Sequence, residues 1–359
     1  MDYRQQNPVP VPAKGPFQRV RATMDAVYDW QYALEDQKLL TLYEKGKKLG
    51  WNATDLDWST HVDADRLGAD ENIADFFNSV LDPPRRFTKE VGLQYHVHMN
   101  SFMLSQFLHG EQGALVAAAK VVETVPWAEA KLYAANQVAD EARHVEVYHR
   151  YLTEKLGISY EVHPSLSALL EDITEDSRWD VTYLGMQIMV EGLALAAFGM
   201  MKLVMSEEPL IQDITSRIMA DEARHVGFGV LSLQKVYTSE MSSKELAERE
   251  EFVIESTHLL HDRLLPIPVF ERLGWDVKTY GEWARHTPFH KAFRQMMFSK
   301  IVPNLKSLGL LTPRVREAMQ SLDLLKFENE KNSVESPEVL PPAELVQLLV
   351  TRLQAPAAE

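Results

Sequence analysis

Long stretches of the chain carry apolar residues three and four positions apart, with polar residues between them. This spacing is the period of an α-helix. Glycine and proline are sparse, at 16 and 18 of 359 residues, and they cluster between the periodic stretches. We therefore predict an all-α protein. A first helix is expected over 21–48, and a loosely patterned loop with room for short helices follows it up to Pro84.

Two pairs of long helices are predicted in the middle of the chain. The first pair has its break at Pro126, and the second pair has its break at Pro209. The helices of the second pair are expected over 180–206 and 208–238, and shorter ones over 243–265, 280–298 and 344–353, with a linker at 330–342. The predicted organisation is an extended leader (1–19), a helical domain (20–300) and a C-terminal helical extension with a linker (301–359).

Composition narrows the chemistry. Cysteine is absent, which excludes disulfides, a thiolate nucleophile and iron–sulfur clusters, so any metal must be held by oxygen and nitrogen. The net charge of −15 disfavours nucleic acid as a partner. No uninterrupted apolar run reaches the ~18 residues that a bilayer span needs, and the N-terminus does not resemble a secretory signal. We therefore expect a cytoplasmic protein with no membrane partner.

The hexapeptide DEARHV occurs twice, at 140–145 and again at 221–226, each time within a long predicted helix. Residues three apart lie on one face of a helix. Glu141 therefore shares a face with His144, and Glu222 shares a face with His225. Each repeat thus places an oxygen ligand beside a nitrogen ligand.

Each repeat also has a partner glutamate on the preceding helix. Glu111 lies 30 residues before Glu141, and Glu191 lies 31 residues before Glu222. At ~1.5 Å per residue, the helix between each upstream glutamate and the helix break is ~20 Å long. The helix that returns from the break to the repeat glutamate has about the same length. Two antiparallel hairpins would therefore bring four carboxylates and two imidazoles to one level. Glu90 and Glu123 are the alternatives to Glu111.

Four carboxylates in a buried cluster cannot remain ionised without cations, because a bare charge is very costly in a low-dielectric core. Two divalent metal ions would supply the missing charge. One glutamate from each of two helices, with Glu-x-x-His from each of two others, is the ligand pattern of ferritin-like carboxylate proteins. We therefore predict a ferritin-like four-helix bundle with additional N- and C-terminal helices.

Over about residues 94–235 the sequence resembles the ferritin-like di-iron carboxylate proteins. It is most similar to their oxygen-activating branch, which contains monooxygenase hydroxylases, acyl desaturases and ribonucleotide reductase small subunits. The resemblance implies second-sphere acids that accept the free N–H of the opposite histidine, here Asp140 and Asp221, each paired with an arginine, Arg143 or Arg224. It also implies two iron sites, one held by Glu111, Glu141 and His144 and the other by Glu191, Glu222 and His225.

By this resemblance the expected cofactor is two iron ions, or one iron and one manganese, with dioxygen as co-substrate. The expected enzyme is an O2-dependent monooxygenase or oxidase that hydroxylates, desaturates or N-oxidises a small, largely apolar organic molecule. Electrons would come from an external reductase or ferredoxin, because the chain has no glycine-rich dinucleotide motif and no cysteine cluster. A homodimer is expected. The alternatives are a ferroxidase or iron-handling protein and a radical-generating subunit of a partner enzyme.

Several other residues bear on these alternatives. Tyr148 stands where ribonucleotide reductase small subunits carry the radical tyrosine. Such reductases also need a redox-active tyrosine near a flexible C-terminus, and no tyrosine follows Tyr280 here, so we interpret Tyr148 as a core residue. An apolar substrate pocket and ordinary core packing are both compatible with Leu195, Phe198 and Ile218. The remaining histidine pairs are not expected to bind metal: His96 and His98, His258 and His261, His286 and His290.

Overall fold

The computed structural model describes residues 18–32 and 34–336, which are helical where they are regular and contain no strand. Most of the predicted leader, the end of the predicted linker and the predicted helix at 344–353 lie outside the described residues. The α-helices are α1 (Gln37–Leu49), α2 (Ile73–Leu81), α3 (Lys89–Thr124), α4 (Ala128–Arg150), α5 (Pro164–Glu175), α6 (Trp179–Tyr183), α7 (Glu191–Val204), α8 (Pro209–Lys235), α9 (Ser243–Asp262), α10 (Ile267–Arg272), α11 (Val277–His286), α12 (Pro288–Met297), α13 (Ile301–Ser307) and α14 (Pro313–Ser321).

Two helical hairpins form the centre of the protein. Helices α3 and α4 pack along each other around the break at Pro126, and α7 packs against α8 around the break before Pro209. Helix α4 also contacts α8, and α1 packs across both of them. The described residues therefore form the predicted all-α, ferritin-like bundle with additional helices at both ends.

The bundle helices contain turns of π-helix that the periodicity did not predict. They lie at Tyr151–Leu156 after α4, at Leu184–Val190 between α6 and α7, and at Val236–Glu240 after α8. A π-turn inserts one extra residue into a helix and rotates the side chains that follow it. The turn at Leu184–Val190 matters most, because Glu191 is the next residue.

The prediction of a helix over 21–48 is wrong for its first part, since α1 begins only at Gln37. The side chain of Asp36 caps this helix by accepting hydrogen bonds from the amides of Lys38 and Leu39. The amides of Glu35 and Asp36 donate to the buried Glu129 carboxylate at 2.9 and 2.8 Å. These contacts hold the chain before α1 in a non-helical conformation against the start of α4.

A second correction concerns the helix predicted over 280–298. The structure has two helices there, α11 and α12, which meet at Thr287 and Pro288. A proline disfavours helical backbone in the residue before it. Thr287 is accordingly extended, and its hydroxyl caps α12 by accepting from the amide of His290 at 3.3 Å.

One apolar core connects the bundle with the C-terminal helices. Ile301 and Leu305 on α13, Val315 on α14 and Leu324 are fully buried within it. A smaller aromatic core joins α2 and the start of α3 to α10–α12. The predicted domain boundary at residue 300 stays a prediction.

The run Trp179–Val204 is the most apolar part of the fold. Its best 18-residue window has a mean hydropathy of 1.5, which by length and composition is enough for a membrane span. However, 89% of that window is buried inside the protein. Its apolarity is therefore accounted for by its place in the core of the bundle.

Candidate metal centre

The two hairpins bring all six predicted side chains together in the interior of the bundle. Each of them is at most 5% exposed to solvent. The two alternatives for the α3 position, Glu90 and Glu123, are exposed and lie outside the cluster. The six side chains are Glu111 from α3, Glu141 and His144 from α4, Glu191 at the start of α7, and Glu222 and His225 from α8.

The six side chains form two groups that share Glu141. In the first group, Nδ1 of His144 lies 3.2 Å from carboxylate oxygens of Glu111 and Glu141 and 3.3 Å from one of Glu222. In the second group, Nδ1 of His225 lies 3.0 Å from the other oxygen of Glu141, and Glu191 completes the set. Within each group, the candidate ligand atoms all lie within 4.8 Å of one another.

The opposite nitrogen of each imidazole faces an aspartate from the other repeat. Nε2 of His144 lies 3.2 Å from Asp221, and Nε2 of His225 lies 3.2 Å from Asp140. An ionised carboxylate only accepts hydrogen bonds, so each Nε2 carries the proton. Nδ1, the atom that faces the glutamates, is therefore the nitrogen that can offer a lone pair to a metal ion.

Arginines three residues further along each helix pair with these aspartates. Arg143 bonds to Asp140, and Arg224 bonds to Asp221. Although burial alone would raise it, the hydrogen bond from His144 and the nearby charges lower the pKa of Asp221 to about 2. The contacts between the two repeats agree with the prediction that each aspartate accepts the free N–H of the histidine in the other repeat, which we call the cross-pairing.

Several atoms of the cluster lack a hydrogen-bond partner among the described residues. They are one oxygen of Glu141, one of Glu191, both of Glu222, and Nδ1 of His225. Buried polar atoms are nearly always satisfied, and unsatisfied ones need an explanation. These atoms face one another and all of them are electron-pair donors, so cations between them would satisfy the whole set.

The charges of the cluster fit two divalent ions. Four glutamates contribute four negative charges, and two neutral imidazoles contribute none. Each aspartate outside the cluster is already balanced by its own arginine. Two divalent cations would therefore make the centre neutral, which is the condition for keeping four carboxylates ionised in a buried place.

Without cations the same cluster must retain protons. Burial raises the pKa of Glu111 well above its ordinary value. Burial also raises the pKa of Glu191, and the charges of Glu222 and Glu141 raise it further. Bound metal ions would take the place of these protons.

Sequence reasoning missed two polar side chains that support the cluster. The indole Nε1 of Trp51 donates to Asp221 at 2.7 Å, from the segment that is predicted to be a loop. The amide Nε2 of Gln137 lies 2.9 Å from both Glu141 and Glu191. Gln137 precedes Glu141 by four residues, so its place on the same helix face was the one available signal.

The π-turn before Glu191 is held by a close helix contact. Gln187, within that turn, donates to the amide oxygen of Gln137 at 3.4 Å. On α8, Gly229 faces Gln187, and a Cβ atom at Gly229 would lie 2.6 Å from the Cβ of Gln187. Glycine at this position therefore allows the π-turn to approach α8 and carry Glu191 into the cluster.

A narrow cleft with a volume of about 20 Å³ borders the cluster on one side. Glu111, Glu191 and Glu222 line it, together with the apolar side chains of Phe107, Ala114, Val190, Ala194 and Phe198. The sequence is compatible with either a pocket or core packing at Leu195, Phe198 and Ile218. In the structure Phe198 borders the cleft, whereas Leu195 and Ile218 are buried in the core away from it.

Tyr148 is fully buried beside this cleft. Its ring packs on Phe107 and Phe198, at centroid distances of 5.8 and 6.2 Å. Its hydroxyl has no hydrogen-bond partner in the part of the chain that the structure describes. Burial raises the pKa of this phenol well above its ordinary value, so it is protonated at neutral pH. The packing agrees with the interpretation of Tyr148 as a core residue.

The remaining histidines bond elsewhere. His96 contacts the carbonyl oxygen of Leu67 at 3.1 Å, and His98 contacts the hydroxyl of Tyr160 at 2.8 Å. None of the other predicted non-ligands joins a cluster of metal-ligating side chains within residues 18–32 and 34–336: His258, His261, His286 and His290.

No family model matches the chain, and no curated protein matches it. Among solved structures it is similar to an R2-like ligand-binding oxidase with an aerobically reconstituted Mn/Fe cofactor, at 17% identity over 79% of this chain and 93% of that one, with a TM-score of 0.45. A second structure of such an oxidase, after photoconversion, is 13% identical over 88% and 92% of the two chains, with a TM-score of 0.42. The assignment of the metal centre depends on its own six buried side chains.

Proposed function

We propose that this protein binds two iron ions, or one iron and one manganese, and is a dioxygen-dependent oxidase or monooxygenase. Its substrate would be a small organic molecule with a largely apolar body. The observation that carries the proposal is the buried, mutually facing set of four carboxylates and two imidazole Nδ1 atoms, five atoms of which have no hydrogen-bond partner among the described residues. Carboxylate-rich sites with few nitrogens suit iron and manganese better than copper or zinc.

Glu111, Glu141 and His144 would hold one metal ion, and Glu191, Glu222 and His225 the other. The placement of Glu141 in both groups, and of Glu222 near both histidines, suits a bridging role for these two carboxylates. When bound, the metal pair supplies the electrons and the coordination sites for reducing dioxygen. Gln137 would orient the carboxylates, since it contacts both Glu141 and Glu191.

The protein itself would contribute orientation and the exclusion of water. Asp140 and Asp221 fix the ring orientation and the proton position of both histidines. The cleft beside the cluster would have to widen to hold the substrate, and its apolar side chains would keep bulk water from the reacting atoms. Hydroxylation, desaturation and N-oxidation are all compatible with this arrangement, and an external reductase or ferredoxin would supply electrons.

The test begins with metal-free protein loaded with Fe(II) without oxygen. We expect two irons per chain and consumption of dioxygen on rapid mixing, with a transient absorption band that decays faster when a substrate is present. The variants Glu141→Ala and His225→Ala should lose turnover, whereas Glu146→Ala, an exposed position on α4, should retain it. Turnover retained in either of the first two variants would contradict the assignment.

The same experiment separates the alternatives. A featureless rise to ferric product together with cage-sized particles in size-exclusion chromatography would indicate a ferroxidase or iron-handling protein. A stable tyrosyl signal in electron paramagnetic resonance, lost in Tyr148→Phe, would indicate a radical-generating subunit. The apolar side chains that line the cleft favour the oxidase over both, because neither alternative needs an apolar surface beside the metals.

A further inference from the structure

Arg263 introduces a positive charge into the cleft beside the metal centre. It is the first residue after α9, and its side chain lines the cleft together with Phe198 and Glu222. Arg263 is only 8% exposed. Across residues 18–32 and 34–336, its side chain makes no ion pair and no hydrogen bond. A buried guanidinium normally has a partner, because removing its charge from water is costly.

Nearby polar groups are already engaged elsewhere. His109 contacts the carbonyl oxygen of Tyr160, and His163 accepts a hydrogen bond from the amide of Ser165. Burial lowers the pKa of both histidines, and the charge of Arg263 lowers it further, so neither ring carries a charge at neutral pH. Gln106, which also lines the cleft, is bound at both ends to the backbone of residues 161 and 163.

The glutamates of the cleft cannot serve as the partner either, because they face the metal centre and would be bound to its ions. Burial lowers the pKa of Arg263 to about 10, and the side chain therefore stays protonated at neutral pH. The cleft thus combines apolar walls with one cation that no side chain neutralises. A ligand that satisfies it needs an apolar body and one negative charge.

We propose that Arg263 binds a carboxylate of the substrate, and that the substrates are therefore small organic acids with an apolar body. A guanidinium matches a carboxylate with two parallel hydrogen bonds, and the two charges cancel. The acid end would lie at Arg263, and the apolar part would lie against Phe107 and Phe198 beside the cluster. These two rings contact each other at a centroid distance of 4.6 Å, so they would have to move apart to admit it. This assignment depends on the proposed function only for the statement that the bound acid is oxidised.

The test compares acids with their neutral amides. Benzoate with benzamide, and hexanoate with hexanamide, are titrated into the full-length protein, both metal-loaded and metal-free, with binding followed calorimetrically. Wild-type protein should prefer each acid over its amide in both forms. In Arg263→Met the acids should bind roughly 30-fold more weakly, because the variant removes one partner of a buried charge pair. Binding of the amides should not change. Arg263→Lys should restore part of the preference, and Arg285→Met, at an exposed site on α11, should leave it unchanged.

Two results would overturn the proposal. The first is equal binding of acid and amide by the wild type, which needs no variant to fold. The second is unchanged acid binding by a folded Arg263→Met, which would place the carboxylate on the metals instead. Failure of the proposed function has a different signature, because it would show as missing metal or missing dioxygen consumption in the wild type, with the acid preference of the metal-free protein intact.

Discussion

The two DEARHV segments occupy matching places in α4 and α8, yet only part of their surroundings matches. In both, the histidine presents Nδ1 to the glutamates and Nε2 to the aspartate of the other segment. In both, the arginine bonds to the aspartate of its own segment. The hexapeptide thus determines the candidate ligands and the hydrogen bonds that orient them.

The neighbouring positions differ. Four residues before the repeat glutamate stands Gln137 on α4, which contacts two glutamates, and Ile218 on α8, which is buried in the apolar core. Four residues after the histidine stands Tyr148 on α4 and Gly229 on α8. The tyrosine fills space beside the cleft, while the glycine admits the π-turn that carries Glu191.

The two aspartates also differ in their outer partners. Asp221 accepts a hydrogen bond from the indole of Trp51 at 2.7 Å, and Asp140 accepts one from Asn136 at 3.1 Å. A duplicated motif thus produces two equivalent sets of candidate ligands, whereas the residues around it make the two candidate metal positions chemically unequal.

The largest effect is expected from Glu141→Ala, because Glu141 belongs to both groups of ligands. We expect this variant to lose both metal ions and all turnover. Glu111→Ala removes a candidate ligand from one group only and should retain one ion. Metal content per chain by mass spectrometry measures the difference. Glu146→Ala, on the same helix but exposed, is the control and should retain both ions. Two ions per chain in Glu141→Ala would contradict the shared position.

Metal binding should strengthen as pH rises. In the metal-free protein, burial raises the pKa of Glu111 and Glu191, and the Glu111 charge raises that of His144 although burial opposes it. These groups therefore hold their protons to higher pH than an ordinary carboxyl or imidazole does, and metal must displace those protons. Lower pH favours the protonated, metal-free state, so affinity should rise about tenfold per pH unit for each proton displaced. Calorimetry of metal binding in buffers of different ionisation enthalpy should detect the release of these protons. A binding enthalpy that does not depend on the buffer would contradict proton release.

The aspartates should act on the metal held by the opposite segment. Asp221→Asn should lower the affinity for the metal ion beside His144 by about 10- to 100-fold. Asp140→Asn should lower the affinity for the ion beside His225 by the same factor. Site-resolved occupancy from anomalous diffraction at limiting metal would show which position empties. If each variant emptied the position next to its own histidine, the cross-pairing would have no role in metal binding.

The smallest effect is expected from Trp51→Phe. It removes one hydrogen bond to Asp221 and leaves His144 and Arg224 in place, so we expect only a several-fold loss of affinity at the His144 position. The His225 position should not change, because Asp140 has no tryptophan partner. Equal weakening of both positions would mean that the two halves are coupled more tightly than the contacts suggest.

The sequence predicted those features that depend on short-range helical spacing. Glu141 with His144, and the arginine of each segment with its aspartate, are three residues apart and needed only a helix. The hairpin breaks at Pro126 and Pro209 then determined which upstream glutamates could meet them. The structure brings all six side chains together, and their role as metal ligands stays a prediction that the experiments above address.

What the sequence did not predict depends on distant parts of the chain. Trp51 reaches Asp221 across 170 residues, and the non-helical start before α1 depends on the buried Glu129 carboxylate. Arg263 enters the cleft from the end of α9, where nothing in the local pattern marks it. The break before Pro288 did have a local signal, because proline disfavours helix in the residue before it.

Anomalous diffraction from crystals of the iron-loaded protein would locate the metal ions. We expect two anomalous peaks inside the bundle, one next to Nδ1 of His144 and one next to Nδ1 of His225, with Glu141 in contact with both. A single peak, or iron bound away from these six side chains, would contradict it.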